Sequence, residues 1–152
     1  MWSFDRRSRG LLGAQMTKEG LHSTREYFGL TGLVKSHHKT IQALFGRYLA
    51  SPLPSRPALV EEILVRLRSH LAIEDEVLLT VLQNSGPQGP DLIESTVLEY
   101  EDIQAMFQQV QADIEEGERW DEMLEDMMQT VRVHFITAER DLLPLVDRSR
   151  DA

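Results

Sequence analysis

Two stretches of the chain occur twice. Displaced by 62 residues, HHKTIQALF (37–45) falls on EYEDIQAMF (99–107), matching Ile41, Gln42, Ala43 and Phe45 with Ile103, Gln104, Ala105 and Phe107. Displaced by 64, HLAIEDEVLL (70–79) falls on HFITAERDLL (134–143), matching His70 with His134 and Leu78-Leu79 with Leu142-Leu143. A chain made of two related units is held to folds in which the unit packs against its own copy, with the two-residue difference taken up in loops. Each unit carries apolar residues at steps of three and four, the period of a helix buried on one face.

That period appears in four segments. The first runs from Thr31 to Ala50 on Leu30, Val34, Ile41, Phe45 and Tyr48, and stops at Ser51-Pro52-Leu53-Pro54. The second starts at Pro57, a residue suited to a first helical turn, and carries Ile63, Leu67, Val77 and Val81 to Gln83. After the loop Asn84–Gly89, a third begins at Pro90-Asp91 on Ile93, Val97, Ile103, Phe107, Val110 and Ile114, with Gly117 as its stop. The fourth takes Asp121 as N-cap, follows Leu124, Met127, Val131, Leu142 and Leu145, and has Pro144 near its end. No β alternation of useful length competes. The expectation is an all-α, up-down-up-down four-helix bundle over 31–148, built from two repeated helical hairpins about a pseudo-twofold axis. Residues 1–30 are interrupted by Gly10, Gly13, Gly20 and Gly29. They read as a partly irregular arm with a short helix near Thr24–Phe28. Its basic cluster, Arg6, Arg7 and Arg9, reads as a solvated tail, with a protein partner as the alternative.

Composition removes whole classes of function. With no cysteine among 152 residues, disulfides, thiolate zinc sites, iron–sulfur clusters and cysteine nucleophiles are excluded. A net charge of −9 sets the chain against phosphate backbones, so nucleic acid is not an expected partner. No apolar run approaches the roughly 18 to 20 residues of a membrane span. Arg6-Arg7 is followed only by Leu11-Leu12-Gly13-Ala14 before polarity returns, too little for a secretory segment. A cytoplasmic location is the expectation.

Polar residues stand where the core should be. Ile63, Leu67, His70, Glu74, Val77 and Val81 step by 4, 3, 4, 3 and 4, which puts His70 and Glu74 on the buried stripe one turn apart. His38 lies between Val34 and Ile41 on the same pattern, Tyr100 between Val97 and Ile103, and His134 between Val131 and Ala138. A buried carboxylate is costly unless it is paired or binds a metal. One His–Glu pair would need no more than a hydrogen bond. Three histidines, two carboxylates (Glu74, Glu139) and a phenol from four helices are a donor set for non-haem iron, manganese or zinc. Glu139 stands five residues after His134, about 140° round an ideal helix. It joins a shared site only if the metal lies to that side or the helix widens into a π turn.

These residues resemble the hemerythrin-like HHE cation-binding family over about residues 31–148. The resemblance rests on H-x-x-I at His38–Ile41, H-x-x-x-E at His70–Glu74, and H-x-x-x-x-E followed by LLP at His134–Glu139 and Leu142-Leu143-Pro144. It implies a di-iron centre with an oxo or hydroxo bridge, Glu74 and Glu139 as bridging carboxylates, and His38, His70 and His134 as terminal ligands. An open position would then accept O₂, peroxide or NO. Oxygen-carrying members place two histidines on the third helix, where this chain has Thr96 and Tyr100. Tyr100 ligates as phenolate, or His37 or Glu101 substitutes, or the site holds one metal; core packing is the alternative for Tyr100. A phenolate favours ferric iron, whereas reversible O₂ carriage needs stable ferrous iron. Redox, peroxide-handling or sensing roles are therefore preferred to bulk carriage, and an oxygen- or peroxide-reactive activity stays open. The alternatives are a metal-free helical interaction module and a mono-metal iron or zinc site.

Weaker signals read as background. His37 lies about 100° round from His38 and is placed beside the site or at an interface. Asp75, the repeat partner of Glu139, is a further candidate neighbour. Glu19-x-x-His22 has ferritin-type spacing but occurs once, among glycines. Seven acids between Glu115 and Asp126 read as a solvated surface.

Overall fold

The structure is a computed structural model that describes residues 29–150 except Ser85, and the side chains of these except 77, 78, 149 and 150. The expected arm, its short helix near Thr24–Phe28 and the Glu19–His22 pair lie outside the described residues.

Helix α1 spans Gly29–Ala50 and buries Val34, His38, Ile41, Phe45 and Tyr48, the stripe seen in sequence, together with Thr31 and Leu44. It ends at Ser51, whose hydroxyl donates to the Arg47 carbonyl at 2.6 Å. A single 3₁₀ turn, Leu53–Ser55, then leads into α2, Arg56–Ile73, with Pro57 in the first turn. The Arg56 guanidinium lies 4.9 Å from the Tyr48 ring centre and its Nε donates to the Ser51 carbonyl at 3.2 Å, pinning this corner. Helix α2 widens into a π turn over Glu74–Leu78 and returns to α geometry over Leu79–Gln83.

Helix α3 spans Gly89–Glu116 and ends on Gly117 in the left-handed region at φ 72°. The Glu118 N–H bonds the Asp113 carbonyl at 2.8 Å and the Gly117 N–H that of Ile114 at 3.2 Å, the paired closure of a Schellman motif. Helix α4 spans Asp121–Thr137, passes through a π turn over Ala138–Leu142 and continues as Leu143–Arg150. The expected N-cap shifts by one residue: Trp120 occupies it, and its carbonyl accepts the Leu124 N–H at 3.0 Å. Asp121 is already helical and pairs with Arg119 at 3.2 Å. The two π turns stand 64 residues apart, the displacement that superimposes His70 on His134.

Four helices thus enclose one core, and no strand occurs among the described residues. Helix α1 packs on α2 and α3 on α4, while Leu143–Arg150 returns against both Leu79–Gln83 and α1. The Thr31 hydroxyl donates to Asp147, joining the start of α1 to the end of the chain's last helix. Phe45, Ile63, Leu67, Leu82, Ile103, Leu124, Met127, Val131 and Phe135 are sealed inside. Each such side chain supplies about 1.5–3 kcal/mol, which offsets the cost of six buried polar residues: Thr31, His38, His70, Glu74, Thr96 and His134. No described helix is long and apolar enough to cross a membrane.

The turn between α2 and α3 leaves no room at Gly89. A Cβ there would lie 2.2 Å from the Leu82 carbonyl oxygen. Gly89→Ala is expected to destabilise the protein by about 1–3 kcal/mol through forced separation of the two helix ends. The urea midpoint should fall with an unchanged slope; an unmoved midpoint would mean that the ends part freely.

Candidate metal centre

The buried polar residues converge on one carboxylate. Glu74 stands at the first position of the α2 π turn, fully buried. Its Oε1 lies 2.8 Å from His70 Nε2 and 3.2 Å from His38 Nε2. Its Oε2 lies 2.7 Å from His134 Nε2 and accepts the Tyr100 hydroxyl at 2.8 Å. All four helices therefore reach one side chain. Each arrives by the same device, a polar residue in the 3–4 stripe that buries its helix.

The carboxylate is charged. Burial pushes its pKa up, but the hydrogen bonds from His134, His38 and His70 outweigh burial and hold it well below the ordinary carboxylate range. An ionised carboxylate only accepts, so in this protonation state each Nε2 facing it carries hydrogen. A hydrogen bond to a charged group contributes about 1.5–3 kcal/mol, and four of them match the several kcal/mol that a desolvated ion costs. Burial, with the Glu74 charge beside it, raises the Tyr100 phenol well above its usual range, so its hydroxyl stays protonated.

The two remaining ring nitrogens of the α2 and α4 histidines are also backed. His134 Nδ1 lies 2.6 Å from Glu99 Oε2 on α3. His70 Nδ1 lies 3.4 Å from His37 Nδ1 on α1. His38 Nδ1 is different: it is buried without a hydrogen-bond partner, and the nearest carboxylate oxygen, Glu139 Oε1, is 3.7 Å away. Phe135 forms the apolar wall, stacked on the His38 ring at 3.9 Å between centres and edge-on to His70 at 5.4 Å.

His134 sits between two carboxylates. Burial works against its charge, but the hydrogen bonds to Glu74 and Glu99, and the charge on each, prevail and raise its pKa to about 9. A folded pKa above the free value of about 6.5 means that this stabilisation is complete below pH 6.5 and is lost as pH rises through 9. Burial, reinforced by neighbouring imidazoles, lowers the pKa of His37 and of His70, so both are neutral across that interval. The metal-free protein is therefore expected to keep a His134 imidazolium at pH 8 and to lose on the order of 2–3 kcal/mol between pH 7 and 9.5. Ring ¹⁵N shifts and urea titrations across that range check both; a neutral His134 at pH 7 would contradict the arrangement.

Of the six residues singled out as ligands, His38, His70, Glu74, Tyr100 and His134 meet within hydrogen-bond reach. Glu139 lies at the edge, its side chain 39% exposed, inside the α4 π turn and on the His38 flank. His37 takes its place behind His70, and Asp75 and Glu101 are exposed. Thr96 is buried with its hydroxyl on the Leu92 carbonyl at 2.6 Å, facing the needs of its own helix. Glu99 was not expected. It lies off the apolar stripe, and the available signal was the repeat, which sets it opposite His37.

Donor atoms of His38, His70 and Glu74 lie within 4.8 Å of one another, close enough to hold a metal ion. Together with the His134 Nε2, 2.7 Å from Glu74 Oε2, this imidazole–carboxylate set fits a divalent first-row metal. Fold and site define an all-helical bundle whose buried His/Glu cluster has the donors to hold a cation. A family model, the hemerythrin HHE cation binding domain, matches residues 30–146. The chain belongs to that family. No curated protein and no solved structure matches it.

Proposed function

We propose that the chain is a non-haem di-iron protein of hemerythrin-like type, cytoplasmic, with a redox, peroxide-handling or sensing role. The supporting observation is the convergence of three imidazole Nε2 atoms and a phenol on the two oxygens of Glu74, none farther than 3.2 Å. In this reading His38, His70 and His134 would hold the metal through Nε2, and Glu74 and Glu139 would supply the carboxylates. The organisation is two repeated hairpins in up-down-up-down order. Iron bound there supplies an open position for O₂, peroxide or NO and a ferrous–ferric couple.

The chain's own groups set the preference. Tyr100 is kept protonated by burial and by the Glu74 charge; a metal cation beside it would oppose that balance and favour its phenolate as a ligand. A phenolate ligand stabilises ferric iron, which disfavours reversible O₂ carriage. Phe135, itself fully buried, stacks on the His38 ring and gives the cluster one apolar wall.

A second reading is a metal-free helical interaction module. It is favoured by one fact: the four acceptor positions of Glu74 are already filled by protein donors. Metal analysis after anaerobic ferrous loading, with an ultraviolet–visible spectrum, separates the two. About two irons per chain and oxo-bridge absorption are expected; one metal would indicate a mono-metal site, and none the module. Tyr100→Phe is expected to abolish a visible phenolate-to-iron band while retaining iron. A band that survives, or is absent from both proteins, removes Tyr100 from the ligand set.

A further inference from the structure

His70 and His134 present the same atom, Nε2, to Glu74, and each is backed at Nδ1 from a neighbouring helix. The backing residues hold the same place in the internal repeat, since His37 falls on Glu99 at the displacement of 62. The contact is kept and its chemistry is changed. Behind His70 stands an imidazole at 3.4 Å, the long end of a hydrogen bond. Behind His134 stands a carboxylate at 2.6 Å, a charge-assisted distance.

We propose that Glu99 is a positioning residue for the metal: by accepting the Nδ1 hydrogen of His134 it fixes Nε2 as that ring's lone-pair donor and makes His134 the strongest imidazole ligand of the centre. The inference rests on the metal-binding reading above. An imidazole with hydrogen on Nδ1 has its lone pair on Nε2, and a carboxylate, which cannot donate, allows no other neutral tautomer. The negative charge behind the ring also raises its basicity toward a cation. His37 can donate or accept, so it sets neither the tautomer of His70 nor its basicity. The two halves of the centre are therefore unequal. Glu99 itself is about one-third exposed and fills no core space, so its removal leaves the packing alone.

The test uses the full chain, with Fe²⁺ added anaerobically and Zn²⁺ as a diamagnetic stand-in. Glu99→Leu is expected to weaken binding about 10- to 100-fold, Glu99→Gln less because its amide oxygen still accepts, and His37→Gln least. Circular dichroism should be unchanged in all three. In the Zn²⁺-loaded wild type, ring ¹⁵N correlation should show His134 protonated at Nδ1 and bound through Nε2, with a downfield Nδ1 proton that moves upfield in Glu99→Leu. Binding by Glu99→Leu within twofold of the wild type, or His134 bound through Nδ1, overturns the proposal while leaving the metal centre standing. A wild type that takes up neither ion overturns both.

Discussion

Glu74→Leu is expected to empty the centre. Every donor in the cluster touches this carboxylate: His38 and His70 at Oε1, His134 and Tyr100 at Oε2. Leucine nearly matches its volume, so the cavity term is small, but three imidazoles and a phenol lose their common partner in a dry interior. Breaking one side of a buried ionic cluster costs about 3–5 kcal/mol, and His134 then has Glu99 alone as a counter-charge. Metal content should fall from its wild-type value to near zero, and the urea midpoint of the metal-free protein should drop by the equivalent of that cost. Full metal occupancy in Glu74→Leu would overturn the assignment of the centre. Retained stability with lost metal would show that the imidazoles find other partners.

Removing the metal from the wild type is expected to lower Tm by about 5–10 °C. A ligand present at 100 times its Kd stabilises the native state by about 2.7 kcal/mol, and a domain of this size shifts by about 2–4 °C per kcal/mol. Calorimetry before and after chelation, and after ferrous reloading, gives the difference directly. His70→Ala should melt at one temperature regardless of treatment. An unchanged Tm in the wild type would make the buried histidines a self-sufficient hydrogen-bonded network.

The parts of the site that were legible in sequence are those that obey helical phase. His38, His70, Glu74, Tyr100 and His134 each interrupt an apolar 3–4 stripe, and a stripe predicts direction as well as burial. All five meet. Glu139 was harder, because its aim depends on local widening of α4, and periodicity assumes the ideal pitch. The structure does widen the helix there, over Ala138–Leu142, and does so at the equivalent place on α2 as well. Pro144 follows only the α4 turn, so proline is not the common cause. Glu99, about one-third exposed, carries no burial signal; the repeat sets it opposite His37, and its role shows in the His134 ring it supports. The N-cap of α4 moved by one residue for an equally local reason, since Asp121 is engaged by Arg119 instead of capping.

The paired π turns have a consequence for how the chain can change length. A π turn holds one residue more than the α-helix it interrupts, while the helices on either side keep their own faces. Dropping a single residue within 138–142 would let α4 run straight through, with Leu143, Leu145 and Val146 still turned inward. The sideways reach of the Glu139 segment would be forfeited. At the α4 turn, then, a one-residue deletion is a natural experiment that spares the scaffold and turns Glu139 away from the His38 flank.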